Sequence, residues 1–181
     1  MVWLMNRTIT DIRSRRAQRV AIRPLASGDR TELDGAFSRL SDETRRRRFG
    51  TAASRLSERE LDRLIDVDHH RHEALAAFAP GGRIVGVARY VTLDDDPDFA
   101  EVAVTVDDEW QHVGIGRRLM GELIDRARDE GITRLLAYVS AENRPVMGWI
   151  ARAGGSAEPV DRDATLYSIP LNLFDEARRV A

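Results

Sequence analysis

Apolar and polar positions along the chain change period several times, and each change marks an element. A short run at Arg19 to Pro24 predicts a first strand. Ser27 suits an N-cap for a helix over about Asp29 to Leu40, and Ser41 caps a second short helix carrying Arg45, Arg46, Arg47 and Arg48. Ser57 followed by Glu60 is a capping box, in which each residue satisfies a backbone N–H of the other. It opens a third helix through Leu61, Leu64 and Ile65. Runs at Glu73 to Ala79, Arg83 to Val91 and Ala100 to Val106 read as strands. Gly81-Gly82 turns between the first two, and the acidic stretch Asp94 to Asp98 loops between the last two. Ile115, Leu119, Leu123 and Ala127 then recur every four residues, predicting a helix from about Gly114 to Glu130 that Gly131 stops. A strand at Arg134 to Val139, a helix over about Arg144 to Ala153, a strand at Ala164 to Ile169 and a short C-terminal helix follow. Hairpin strands first, then strand-helix-strand-helix-strand, indicate an α/β or α+β fold with a mixed, mostly antiparallel central sheet flanked by helices.

At 181 residues the chain suits one domain with a real core, 43% of it hydrophobic. Residues 1 to 18 are polar and basic and are expected to form an arm, with a single domain from 19 to 181. No apolar run approaches the ~20 residues of a membrane helix, and Met1 to Met5 lacks the marks of a signal peptide, so a cytoplasmic protein with no membrane partner is expected. A net charge of −2 shows no excess for nucleic acid. Cysteine is absent, which excludes a disulfide framework, a cysteine zinc site and a cysteine nucleophile. Lysine is absent too, all 28 basic residues being arginine, so neither a Schiff base nor a Walker lysine exists. Nothing sets the assembly beyond monomer or homodimer.

Chemistry concentrates in Val102 to Arg118. A strand leads through Asp107-Asp108-Glu109-Trp110 into Gln111-His112-Val113-Gly114-Ile115-Gly116-Arg117-Arg118. Glycines stand where the turn meets the first helical turn, whose backbone N–H groups lack internal partners and carry the positive end of the helix dipole. Such a segment suits a phosphate or pyrophosphate, or is simply a tight turn needing small residues. A dinucleotide fingerprint wants a third glycine where Leu119 stands, with Gly121 two residues late, so that reading fails.

Gln-x-x-Gly-x-Gly after a strand, with Asn143 after the next strand, resembles the acetyl-CoA site of the GCN5-related N-acetyltransferases, the GNAT superfamily. The resemblance covers about Val20 to Ile169 and implies a GNAT fold whose fourth and fifth strands splay apart. It implies acetyl-CoA as cosubstrate, with no metal, and an amine as acceptor. The main chain of Val104 and Val106 would pair with the pantetheine, and the loop opened by Gln111 would take the pyrophosphate on the amides of His112, Val113, Gly114, Gly116 and Arg117. Asn143 would border the pantetheine and acetyl end. A narrower resemblance, in Phe37 to Ser41, Val67 to Ala74 and Ala100 to Ala103, is to the catalytic domain of bacterial Pat-type protein lysine acetyltransferases, without the regulatory domain those enzymes often carry.

A lysine-type amine has a pKa near ~10.4, so at neutral pH only about one molecule in 10³ is free to attack. Glu101 opens the strand that would hold the cofactor, sharing one face with Ala103 and Thr105 while Val102, Val104 and Val106 share the other. The resemblance makes it the general base. Without cysteine, transfer is expected to be direct, in a ternary complex. Many family members supply the leaving thiolate's proton from a tyrosine seven residues after the asparagine. Here that residue is Ile150. A protein lysine is the preferred acceptor. A small amine (an amino acid, polyamine or antibiotic) and a non-catalytic CoA sensor are the alternatives. His69, His70 and His72 line the acceptor entrance by resemblance, or are surface loop histidines, with spacing that does not favour a metal. Arg45 to Arg48 read as a solvated helix face, and Trp110 and Trp149 as packing residues.

Overall fold

The computed structural model describes residues 19–49, 53–152, 154–159 and 164–171. Among the described residues seven strands form one sheet: β1 (Ala21–Pro24), β2 (His72–Phe78), β3 (Ile84–Thr92), β4 (Phe99–Val106), β5 (Arg134–Ser140), β6 (Ser156–Pro159) and β7 (Ala164–Pro170). Their order is β1-β2-β3-β4-β5-β7-β6, and every neighbouring pair is antiparallel except β4 with β5. The helices described beside it are α1 (Arg30–Arg39), α2 (Asp42–Phe49), α3 (Glu58–Ile65), α4 (Ile115–Asp129) and α5 (Arg144–Arg152). This is the mixed, mostly antiparallel sheet expected, with most bounds within a residue or two of those read from sequence. The expected arm and C-terminal helix lie outside the described residues.

The central strands β2 and β3 are largely apolar on both faces because each face is covered. Leu75, Ala77, Ala88, Tyr90, Ala100 and Val102 pack with Ile115, Leu119, Leu123 and Ala127 of α4, whose four-residue stripe is at most 1% exposed. On the opposite face Ala74, Ala76, Phe78 and Ile84 meet Leu33 of α1 and Leu61 of α3. Burying one such aliphatic side chain is worth about 1.5–3 kcal/mol. The alternation of β2 thus assigns Leu75 and Ala77 to one core and Ala74 and Ala76 to the other.

Three local readings need correction. Ser27 is not the N-cap: it begins a 3₁₀ turn, Ser27–Asp29, with Ala26 at the cap position and the Asp29 carboxylate accepting from Ala26 N–H at 2.9 Å. The strand β6 was not foreseen. Of the arginine run, Arg45 is buried, bonded to Leu40 O and Asp42, and Arg48 is half-buried, while Arg46 and Arg47 are exposed. Residues three apart share a helix side, so Arg45 and Arg48 turn inward together. Elsewhere the local chemistry is as expected. Ser41 Oγ accepts from Thr44 N–H at 3.2 Å, Ser57 and Glu60 form their reciprocal box, and Gly131 ends α4 at φ +81°.

Candidate functional site

The fourth and fifth strands pair only over Phe99–Glu101 and Arg134–Leu136, and then part. Parallel strands end on the same side, so a gap opens between the C-terminal halves of β4 and β5. The N–H of Asp107 donates to Val85 O on β3 at 2.9 Å. Main-chain groups alternate in direction with period two, so Thr105 and Ala103 also address β3. Val104 and Val106 address the gap.

The loop at the mouth of this gap is fixed from several directions. Trp110, 7% exposed, anchors it in the α4-side core, and Trp149 packs against the same core. Gln111 Nε2 donates to Val106 O at 3.0 Å and to Thr44 Oγ1 at 3.4 Å. Asp108 accepts from Ser41 N–H at 2.9 Å, Ser41 Oγ at 2.8 Å and Thr44 Oγ1 at 2.8 Å, clamping the start of α2 to the loop. Burial works to raise the Asp108 pKa, but these hydrogen bonds outweigh it and hold the carboxyl below its usual range. Asp107 is buried and receives Arg83 at 2.7 Å.

His112 and Gly114 both adopt positive φ, +62° and +92°. Gly114 is the N-cap of α4 and offers no side chain to the first turn, which contains no acidic residue. The first intrahelical bond runs from Arg118 N–H to Gly114 O at 3.0 Å. The N–H groups of Ile115, Gly116 and Arg117 therefore lack helical acceptors. A Cβ added to Gly116 would meet only Val106 Cγ2, at 3.5 Å, an ordinary contact. The protein itself leaves room there for a methyl. Open N–H groups, no competing carboxylate and a space a side chain could fill fit a bound diphosphate. Arg117 is exposed at this turn, whereas Arg118 reaches back to Val20 O at 3.0 Å. Asn143 stands across the gap, beyond the end of β5, its N–H donating to Ser140 O at 2.9 Å and its carbonyl receiving Met147 N–H at 3.1 Å. The strand-end loop and Asn143 thus share one end of the sheet.

Glu101 lies where β4 and β5 part, opposite Val91 on β3 and Leu136 on β5. It is exposed, with no cation within 4 Å of its carboxylate among the described residues. On its face, Ala103 and Thr105 line a cleft between the sheet and the first three helices, of about 520 Å³ with its open mouth included. Leu33, Phe37, Leu64 and Val87 give it apolar walls, and Arg48 and Arg89 line it as well. Sequence reading missed Arg89, although a lone charge inside the apolar run Ile84–Thr92 was a visible signal.

The three neighbouring histidines divide. His69 Nδ1 lies 2.8 Å from Glu73 Oε1, a buried carboxylate also held by Arg126 Nη1 at 2.8 Å, and His70 Nδ1 lies 3.2 Å from Glu130. His72 alone is on the cleft face, with Nε2 3.3 Å from Arg89 Nη1. Burial first, and then the Arg89 charge, lower its pKa. Among the described residues no three His, Cys, Asp or Glu side chains gather into a metal site. Ile150, where the family's tyrosine would stand, is 1% exposed and packed in the core.

Comparison with known proteins agrees with this geometry. Residues 37–154 match the acetyltransferase (GNAT) family. The chain is 32% identical over 157 residues to Acetyltransferase PA5475 of Pseudomonas aeruginosa, covering 84% of each protein. It is 32% identical over 134 residues to Acetyltransferase Pat of Mycolicibacterium smegmatis, covering 74% of this chain and 40% of that one. The GNAT domain of S. lividans PAT superimposes with a TM-score of 0.76 at 26% identity, over 83% of this chain and 90% of that one. The chain belongs to the GNAT acetyltransferase family and is an acetyl-CoA-dependent N-acetyltransferase.

Proposed function

We propose that the acceptor is a protein lysine, acetylated by direct attack within a ternary complex, with Glu101 as general base. The observation that carries this reading is the two-sided use of β4. One edge turns the main chain of Val104 and Val106 toward the β4–β5 gap, while one face presents Glu101 beside the cleft. Acetyl-CoA supplies an acetyl group activated as a thioester. The amides of His112, Val113, Gly114, Gly116 and Arg117 hold its diphosphate, Gln111 and Asp108 stiffen that loop, and Asn143 borders the far side of the gap. The N–H of Val104 donates to the thioester oxygen as negative charge develops there.

The amine enters from the cleft face. Glu101 takes its proton, directly or through one water, as the C–N bond forms and the C–S bond breaks. The chain has no cysteine, so the acetyl group does not rest on an enzyme thiol. Ile150 offers no proton to the departing sulfur, and a thiol with a pKa near ~8.5 leaves without one at modest cost. The likeness to the PAT domain and to Pat supports a protein lysine as the acceptor. A thiol-release assay with acetyl-CoA, lysine peptides and a panel of small amines tests it. Peptide lysines should outrun every free amine. Turnover confined to a small amine overturns the lysine assignment, and CoA binding without any turnover overturns catalysis.

A further inference from the structure

Among the described residues four charged side chains are buried: Arg45, Glu73, Arg89 and Asp107. Three have an opposite charge in contact. Arg45 meets Asp42, Glu73 meets Arg126 at 2.8 Å, and Asp107 meets Arg83 at 2.7 Å. Arg89, 7% exposed, has none within 4 Å among the described residues. Its Nη1 reaches Leu64 O at 3.1 Å and His72 Nε2 at 3.3 Å, both uncharged partners that leave the guanidinium's positive charge uncompensated. A buried cation without a counter-ion is strongly disfavoured. Here burial and then the charge of Arg48 depress the Arg89 pKa to about 10.

A second cation makes the imbalance larger. Arg48 lines the same cleft and likewise has no carboxylate within 4 Å among the described residues. Phe49 lies beneath it, ring centroid 4.7 Å away. Burial lowers the Arg48 pKa, and the Glu101 carboxylate partly offsets this. Asp107, the acid among the residues that line the cleft, is already engaged by Arg83. Arg48 and Arg89 thus bring two positive charges to the cleft, against one free negative charge at Glu101.

The register places this charge close to the chemistry. Arg89 stands opposite Ala103, and Glu101 lies two residues before Ala103 on the same face of β4. Diagonal neighbours of this kind are separated by ~7–8 Å between backbones, a distance that a few carbon–carbon bonds span. We propose that Arg48 and Arg89 bind a carboxylate carried by the amine acceptor, close in space to the nitrogen that Glu101 deprotonates. This rests on the reading of the cleft as the acceptor's side of β4. It makes the acceptor lysine one with a carboxylate beside it, from an adjacent Asp or Glu side chain or a chain terminus. Two guanidinium groups can grip a carboxylate through charge-assisted hydrogen bonds, and the ligand supplies the counter-ion the fold omits.

Matched acceptors test this with the full chain. Steady-state thiol release at saturating acetyl-CoA compares a Glu-Lys peptide with its Gln-Lys counterpart, and Nα-acetyl-lysine with its amide. The carboxylate member of each pair should win by tenfold or more in kcat/KM, chiefly through KM. That ratio should collapse toward one in Arg48→Gln and recover in part in Arg48→Lys. Equal rates within both pairs, or a preference that survives Arg48→Gln, overturns the proposal. A donor arm compares succinyl-CoA with butyryl-CoA on a neutral amine. An Arg48-dependent advantage there, without one among the acceptors, assigns the site to the acyl chain and overturns it as stated. Should no amine react, the acceptor reading of the cleft fails separately, and an amide NMR titration of the CoA-saturated protein with glutarate against glutaramide still decides the anion site. Glutarate-specific shifts at Arg89, Ala103 and Thr105 that vanish in Arg48→Gln support it, and their absence overturns it.

Discussion

Two glycines two residues apart separate what the backbone requires from what the ligand requires. Gly114 sits at φ +92° with nothing within 4 Å of an added Cβ. Alanine there fits sterically but is forced into the left-handed region, at a cost of roughly 1–2 kcal/mol. Gly116 has ordinary helical φ, and its added Cβ would touch only Val106 Cγ2 at 3.5 Å. Alanine there removes the penalty of glycine in a helix, about 0.5–1 kcal/mol. For a chain of this length 1 kcal/mol corresponds to about 2–4 °C in Tm. Gly116→Ala should therefore melt about 1–4 °C higher, and Gly114→Ala about 2–8 °C lower. Binding should run the other way for Gly116. If the space beside its N–H is where a diphosphate oxygen lies, the methyl obstructs it, and the Kd for acetyl-CoA should rise at least tenfold, about 1.4 kcal/mol. Calorimetric titration alongside thermal melts reads both quantities on the same samples. A Gly116→Ala protein that is stabilised and binds acetyl-CoA as tightly as the parent refutes the diphosphate site at this turn.

Other predictions follow from the same geometry. Glu101→Gln should lower kcat at neutral pH by about 10²–10⁴ while leaving the calorimetric Kd for acetyl-CoA within twofold; undiminished turnover removes the general base. The Asp108 carboxyl has a folded pKa below its unfolded value, so its stabilisation is complete above pH ~4 and fades as pH falls through the lower folded value. Asp108→Asn should accordingly reduce Tm at pH 7 and lose less further stability than the parent between pH 4 and pH 3; parallel Tm curves would show the clamp to be inert. Gly155→Ala places a Cβ 2.4 Å from Ile150 Cγ2 and 3.2 Å from Ile150 O, and such overpacking should cost about 1–3 kcal/mol, read as a fall in Tm; an unchanged melt contradicts the packing described. Because the chain has no lysine, mass spectrometry after incubation with acetyl-CoA should find no side-chain N-acetylation, whatever the enzyme does to others.

Most of the scaffold was legible because it is built on local rules. The four-residue stripe of α4, the box at Ser57 and Glu60, and the paired glycines at 81 and 82 each follow from short-range geometry. The strand β6 was missed because Ser156-Ala157-Glu158-Pro159 is four residues without β-branched or aromatic side chains, and only its pairing with β7 makes it a strand. The arginine run misled for the opposite reason. Four consecutive charges read as solvent-facing, yet a helix turns 100° per residue and delivered Arg45 and Arg48 inward. At the candidate site, the loop glycines could be singled out from their motif, and Glu101 from the family resemblance together with its place at the start of the strand. The clamp of Ser41 and Thr44 on Asp108 spans more than sixty residues of chain, and no local pattern encodes it. Arg89 was visible as a charge in an apolar strand, but its meaning depends on there being no carboxylate within 4 Å of it among the described residues, which is a property of the assembled sheet.

An amide NMR titration with acetyl-CoA tests the central claim most directly. The largest shifts should fall on His112, Val113, Gly114, Gly116 and Arg117, with a second group at Val104 and Val106 along the open edge of β4. Shifts that leave this loop and edge untouched, and gather elsewhere in the fold, contradict the account.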